Sequence, residues 1–176
     1  MYFDKISSED FLFDRNLDSN NTSYIYGEVD PKSFLKIVRD IDLNDCNFLD
    51  IGSGLGKLVI YLAINTNFYV DGIEIDKVRY NKSISLLDNY EYFDKVEFFN
   101  DDFTNKYFGS YNFIYCCNLV FDDKTNNKLY KKIEIEFKGI FILFNYPISL
   151  EHYLIREEYV KTSWSKKAII FIFNKN

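Results

Sequence analysis

Phe48-Leu49-Asp50-Ile51-Gly52-Ser53-Gly54-Leu55-Gly56-Lys57-Leu58-Val59-Ile60 is the stretch that decides the fold. An apolar run ends at Asp50, three glycines follow at alternate positions, and a second apolar run continues at helical spacing. The pattern predicts a strand, a tight turn and a helix from about Gly56 to Ile64. Glycine is required where φ is positive or where a ligand comes close to the backbone. The helix start presents unpaired N–H groups and the positive end of a dipole. That combination suits a nucleotide-like cofactor. The spacing is G-x-G-x-G, with Lys57 standing where the dinucleotide fingerprint G-x-G-x-x-G has its last glycine. Read without its surroundings, the stretch is also an ordinary βα turn.

The flanking segments extend the pattern. The run from Cys46 to Ile51 begins the sheet, and Phe68 to Ile75 is expected as the second strand. It ends in Gly72-Ile73-Glu74-Ile75-Asp76. A carboxylate about 20 residues beyond a glycine turn can accept from ribose hydroxyls, which makes Glu74 the candidate. Asp76 is expected to cap a helix running from about Val78 to Tyr90. A third strand, Val96 to Phe99, leads to Asn100-Asp101-Asp102-Phe103. There Asp102 can accept from an adenine amino group and Phe103 can stack on a ring. The same residues read equally as a capped loop with a core Phe. Tyr111 to Val120 is the fourth strand, with Cys117, Asn118 and Phe121 at its end. Asn118 there is either a cleft residue or a backbone-capping Asn. A helix from about Lys124 to Glu136 and a strand from Ile140 to Phe144 follow. Two last strands, about Ile155 to Thr162 and Ala168 to Phe173, flank Ser163-Trp164-Ser165-Lys166-Lys167.

Alternating strands and helices predict an α/β fold: a doubly wound, mostly parallel seven-stranded sheet closed by a C-terminal antiparallel hairpin. A length of 176 residues suits one domain. Residues 1–23 are expected as an N-terminal arm and 24–176 as the domain. Asp30-Pro31 reads as a helix start, followed by Phe34, Leu35, Val38 and Ile41 on one face. Tyr26-Gly27-Glu28 before it reads by itself as a turn.

Composition narrows the function. Apolar residues make up 47% and charged ones 27%, which places the chain among globular proteins. The wealth of Asn, Lys, Ile, Tyr and Phe points to an AT-rich coding genome, such as that of a virus or protist. The net charge of −6 disfavours a generic nucleic-acid binder. Lys and Arg look scattered, with pairs only at Lys131-Lys132 and Lys166-Lys167. Three cysteines without scaffold spacing suggest reduced thiols and an intracellular compartment, nucleus or cytoplasm, including that of a host cell. No apolar run has the length of a membrane span. No Cys/His set has zinc spacing, so no metal site is expected, and the single histidine, His152, lies outside all these segments, which argues against a Ser-His hydrolase.

The glycine stretch resembles motif I of the class I S-adenosylmethionine (SAM) methyltransferases. Several segments in order resemble one branch of them, the disruptor-of-telomeric-silencing (non-SET) histone lysine methyltransferases. Tyr26-Gly27-Glu28 is similar to that family's Tyr-Gly-Glu at the methionine end of the cofactor. Leu49 to Gly56 is similar to its Asp-Leu-Gly-Ser-Gly-Val-Gly, Gly72-Ile73-Glu74 to its Gly-Val-Glu, and Asp101-Asp102-Phe103 to its Gly-Asp-Phe. Cys117-Asn118-Leu119-Val120-Phe121 resembles its Asn-Asn-Phe-Ala-Phe, and Thr162 to Lys166 its Ser-Trp-Thr-Gly-Lys.

The resemblance implies SAM as cofactor, bound by Tyr26, Glu28, Asp50, Gly52, Gly54, Gly56, Glu74, Asp102, Phe103, Cys117 and Asn118. It implies a catalytic set of Tyr26, Glu28, Asn118, Phe121, Trp164 and Phe171, and a protein partner, a histone in a nucleosome. Three departures fall mostly at the substrate end. Val29 replaces a Thr, Cys117 an Asn, and Phe171 a Tyr of the lysine channel. The family's basic nucleosome-binding extension has no counterpart. Methylation of another protein, of RNA or of a small molecule therefore stays open, as does a SAM-binding module without turnover. Direct nucleic-acid contact and a homodimer stay open as well.

Overall fold

A computed structural model describes residues 27–41, 46–90 and 93–176, with the side chain of Phe93 set aside. The expected arm over residues 1–23 lies outside the described residues, and so does Tyr26.

Helix α1 (Pro31–Asp40) starts as its sequence dictates. Asp30 caps it by accepting from the Ser33 amide, and Pro31 takes the first helical position. Strand β1 (Asn47–Ile51) runs into the glycine turn and helix α2 (Lys57–Asn65). Then come β2 (Tyr69–Ile73), α3 (Lys77–Leu87) with Asp76 as its cap, β3 (Val96–Phe99) and β4 (Phe113–Cys116). Helix α4 (Asp123–Glu136), β5 (Gly139–Leu143), β6 (Leu154–Val160) and β7 (Ala168–Lys175) complete the chain.

The seven strands form one sheet in the order β3-β2-β1-β4-β5-β7-β6. The first five are parallel, and β7 is antiparallel to both β5 and β6. The expected doubly wound sheet with a closing antiparallel hairpin is what the chain forms. One apolar core, built on Phe34, Phe48, Leu62 and Phe113, joins α1, α2 and α3 to one face. A second, built on Phe108, Leu129, Ile133 and Phe141, joins α4 to the other. Each fully buried aromatic ring contributes about 2 to 3 kcal/mol. The strand order reverses between β1 and β4. That reversal opens a crevice at the carboxyl ends of the strands, where open α/β sheets hold ligands. The glycine turn lies at that crevice.

Strand β4 is shorter than the expected Tyr111 to Val120. It stops at Cys116, and Asn118–Val120 is a 3-10 turn. The ladders from β4 to β1 and β5 both end at Cys116, and Asn118 ties the turn that follows to its neighbours. Its Oδ1 accepts from the Phe144 amide at 3.0 Å and from the Asn145 amide at 2.9 Å. Its Nδ2 donates to Asn126 Oδ1 at 2.7 Å and to the Tyr130 hydroxyl at 3.1 Å. This side chain joins the turn after β4 to the end of β5 and to α4.

Candidate active site

All three turn glycines have positive φ, at 77° for Gly52, 58° for Gly54 and 74° for Gly56. No other residue takes three such positions cheaply. Their surroundings differ. A Cβ on Gly56 would stand 2.3 Å from the Phe98 ring, so that glycine lets β3 pack beneath the turn. A Cβ on Gly52 would meet nothing within 4 Å. Gly52 thus faces open space where Gly56 does not.

Glu74, just beyond β2, is buried. Its Oε2 accepts from the Gly54 amide at 2.9 Å and its Oε1 from the Asp76 amide at 2.9 Å. The carboxylate proposed for a ribose therefore also fixes the glycine turn. Burial raises its pKa, against the two amide bonds that lower it. Asp50 at the end of β1 is 4% exposed. Burial, then the charge of Glu74, pushes its carboxyl well above the usual range. Two buried carboxyls thus flank the turn, and repulsion favours the protonated form of Asp50.

Segment Gly27–Asp30 lies beside the turn between β6 and β7. The Glu28 amide donates to Ser163 Oγ, the Ser163 amide to the Glu28 carbonyl, and the Asp30 amide to the Lys161 carbonyl. Val29 forms an antiparallel bridge with Thr162. Trp164 covers Gly27 so closely that a Cβ there would stand 2.5 Å from the indole. Two segments that the family resemblance singles out separately are thus one structural unit. The Glu28 carboxylate also pairs with Lys57 Nζ at 3.3 Å, at the first residue of α2. Lys57 carried a signal in the sequence, because it breaks the glycine fingerprint, but its partner did not.

The remaining expected residues are placed as follows. Asp102 accepts from the Thr104 amide at 2.9 Å and caps a 3-10 turn. Phe103 lies where the core alternative puts it. It is buried in the second core, stacked on Phe121 with centroids 6.0 Å apart and planes 7° apart. Asn118 takes the backbone-capping alternative. Fully buried, its amide has its hydrogen-bonding positions taken within the protein, so it braces the cleft rather than lining it. Cys117 is half-buried, and burial with the Asp50 charge pushes its thiol up to about 12, which keeps it protonated. Among the described residues the cysteines are free thiols, as expected. Trp164 is 46% exposed, with its ring 5.8 Å from Phe144. Phe171 is half-buried, 5.0 Å from Tyr146. Among the described residues, Phe121, Trp164 and Phe171 make their ring contacts with Phe103, Phe144 and Tyr146 and not with one another. Tyr146 was not foreseen, since nothing local distinguishes it among 15 tyrosines.

Among the described residues no group of three or more metal-ligating side chains converges, and no helix is long and apolar enough to cross a membrane.

A seven-stranded sheet in this order, with a glycine turn after β1 and an acidic residue after β2, defines the class I SAM-dependent methyltransferase fold. Solved structures agree. Magnesium protoporphyrin IX methyltransferase of Synechocystis PCC 6803 with bound SAM is 16% identical, with a TM-score of 0.66, over 83% of this chain and 78% of that one. An RNA methyltransferase of Salinibacter ruber in complex with S-adenosyl-L-homocysteine is 17% identical, with a TM-score of 0.66, over 82% and 92%. A putative tRNA (m1A22) methyltransferase of Streptococcus pneumoniae is 13% identical, with a TM-score of 0.61, over 81% and 69%. At these identities the likeness is one of fold. No curated protein matches the sequence directly. The chain belongs to the DOT1 family: the family model described as histone methylation protein DOT1 matches residues 15–165.

Proposed function

We propose that this protein is a SAM-dependent protein-lysine N-methyltransferase acting on a histone. The family match across residues 15–165 carries the reading. The site supports it from the cofactor side. Gly52 faces open space, Asp50 and Glu74 are buried beside the turn, and Glu28 with Lys57 puts opposite charges at the start of α2. These residues fit SAM: Glu74 toward the ribose, Gly52 against the backbone approach, and the Glu28–Lys57 pair toward the charged amino-acid end. The neighbours crystallised with SAM or its product belong to the same fold.

When bound, SAM supplies an electrophilic methyl group on a sulfonium. The chain has to align a nucleophile with it and exclude water. A lysine amine must first lose its proton, since its free pKa is about 10.4. An apolar entrance favours the neutral amine by withholding water from the charged form. Trp164 with Phe144, and Phe171 with Tyr146, supply aromatic surface at the end of β5 and the start of β7. Asn118 fixes the backbone at Phe144 and Asn145, and so the position of that surface.

A second reading, a nucleic-acid or small-molecule substrate, is favoured by Val29, Cys117 and Phe171, which depart from the family's pattern at the substrate end. Radiolabelled methyl transfer from SAM to nucleosomes, free histones and RNA separates the two. Label on a histone lysine that is lost in Gly54→Arg supports the proposal. Label on RNA alone, or none on any protein with SAM still bound, overturns it.

A further inference from the structure

The sheet ends at β6, which pairs with β7 on one side and, among the described residues, with no strand on the other. The direction of its free backbone groups follows from Lys161. The Lys161 amide donates to Ser33 Oγ at 3.2 Å, and its carbonyl accepts from the Asp30 amide at 2.8 Å, both away from β7. Alternate residues of a strand turn their N–H and C=O to the same side, so Glu157 and Tyr159 present theirs at the open edge. The Val29–Asp30 segment occupies only the part of this edge beyond Val160.

The side chains of β6 are ordered about one point. In Leu154-Ile155-Arg156-Glu157-Glu158-Tyr159-Val160, each side of Glu157 carries a charged residue and then an apolar one, and the charges at 156 and 158 are opposite. Ile155 and Tyr159 are 52% and 57% exposed, and Ile169, across from Tyr159 on β7, is exposed as well. Arg156 and Glu158 point to the other face, partly exposed, with Nε and Oε1 3.2 Å apart. Unpaired edge strands commonly carry charge that repels a further strand. Here the charges match in one register. Antiparallel pairing with a second copy about Glu157 sets Arg156 against Glu158 twice over and Ile155 against Tyr159 twice over. Pairing about Arg156 or about Glu158 sets like charges opposite each other and makes no ion pair.

We propose that β6 is a homodimerisation edge: two copies pair their β6 strands antiparallel about Glu157, and the sheet runs on through both molecules. In that register the two Glu157 residues exchange backbone hydrogen bonds, and Arg156 and Glu158 fall at the non-hydrogen-bonded positions, where side chains stand closer. Opposite charges and apolar residues directly across from each other stabilise a strand pair, while the two Glu157 carboxylates oppose it. One strand pair is a small contact, so the dimer forms as concentration rises. Phe171, part of the aromatic surface proposed above to border the substrate, lies across from Glu157 on β7, so only β6 separates it from the second copy.

The test is sedimentation equilibrium of the full chain from about 1 to 200 μM. A species of twice 21.0 kDa that grows with concentration is expected. Arg156→Glu and Glu158→Arg are each expected to weaken dimerisation about 10-fold or more. Mixing these two variants is expected to restore it. Position 156 of each chain then meets the opposite charge at position 158 of the other, although neither chain regains an ion pair of its own. Glu157→Gln is expected to tighten the dimer about 3-fold by removing the like-charge contact. Ile135→Ser, at an exposed apolar residue on α4, is expected to leave it unchanged. Circular dichroism melting shows that each variant folds. A monomer throughout the range, a dimer that both charge variants leave intact, or folded variants that stay monomeric on mixing overturns the proposal.

Discussion

Glu28 and Ser163 hold each other by two hydrogen bonds: the Glu28 amide donates to Ser163 Oγ at 3.1 Å, and the Ser163 amide donates to the Glu28 carbonyl at 2.8 Å. Ser163→Ala removes the first and keeps the second. One such bond near solvent contributes about 1 kcal/mol. We expect SAM affinity to fall about 3- to 5-fold with little change in melting temperature. Isothermal titration calorimetry reads it, and unchanged affinity would show that the junction does not position Glu28.

The Glu28–Lys57 pair is about one-fifth exposed on each side, so its direct contribution to stability is small. Its role is placement. Lys57→Glu is expected to weaken SAM binding at least 10-fold by setting two carboxylates together at the start of α2. Adding Glu28→Lys restores the pair with its charges exchanged. Recovery of fold stability without recovery of SAM affinity is the expected result in the double variant, because the charges then face the wrong ends of the cofactor. Full recovery of affinity would place both residues outside the binding site.

Gly52 and Gly56 make a paired test. Gly52→Ala meets only the positive φ, costing about 1 kcal/mol, yet its methyl enters the open space of the turn. Gly56→Ala adds a collision with Phe98. We expect Gly52→Ala to abolish most SAM binding while remaining folded, and Gly56→Ala to lower the melting temperature much further. The reverse order in thermal melts and binding would sink this assignment.

Asp50 sets a pH dependence. Its folded pKa is raised, so the folded state binds more protons than the unfolded one between the two values. The stability present below the unfolded value, near 3.9, is lost as pH rises through the folded value. Asp50→Asn removes that loss. The variant is expected to melt above the parent at pH 7 to 8, with the gap closing toward pH 4. A gap that widens on acidification would contradict the sign.

Asn118→Ala leaves the Phe144 amide and Asn126 Oδ1 without their buried partner, and the part-buried Asn145 amide without its own. Unmet buried groups cost about 1 to 3 kcal/mol each. We expect a total near 3 kcal/mol after relaxation, a fall of about 10 °C for a chain of this size. Differential scanning calorimetry measures it. A small change would mean that water replaces the amide.

The order of elements was legible because its signals are local. Asp30-Pro31 and Asp76 act on amides three residues away, and the glycine turn declares itself in seven residues. Glu74 was legible by its distance from that turn, although its bonds to Gly54 and Asp76 were not. What escaped depends on partners distant in sequence. The choice between the two readings of Asn118 is made by residues 26 and 27 positions later, and the ring against which Phe103 stacks belongs to Phe121.

The bridge between Val29 and Thr162 also sets a timetable. Glu28 and its partner Ser163 are 135 residues apart, so closing that loop belongs to the slow, non-local part of folding. On the ribosome, β1 and the glycine turn are made early, but the wall formed by Gly27, Glu28 and Trp164 waits until residue 164 has left the exit tunnel. The glycine turn and its Glu74 brace come from the first half of the chain, and the wall beside them closes only once residue 164 is present.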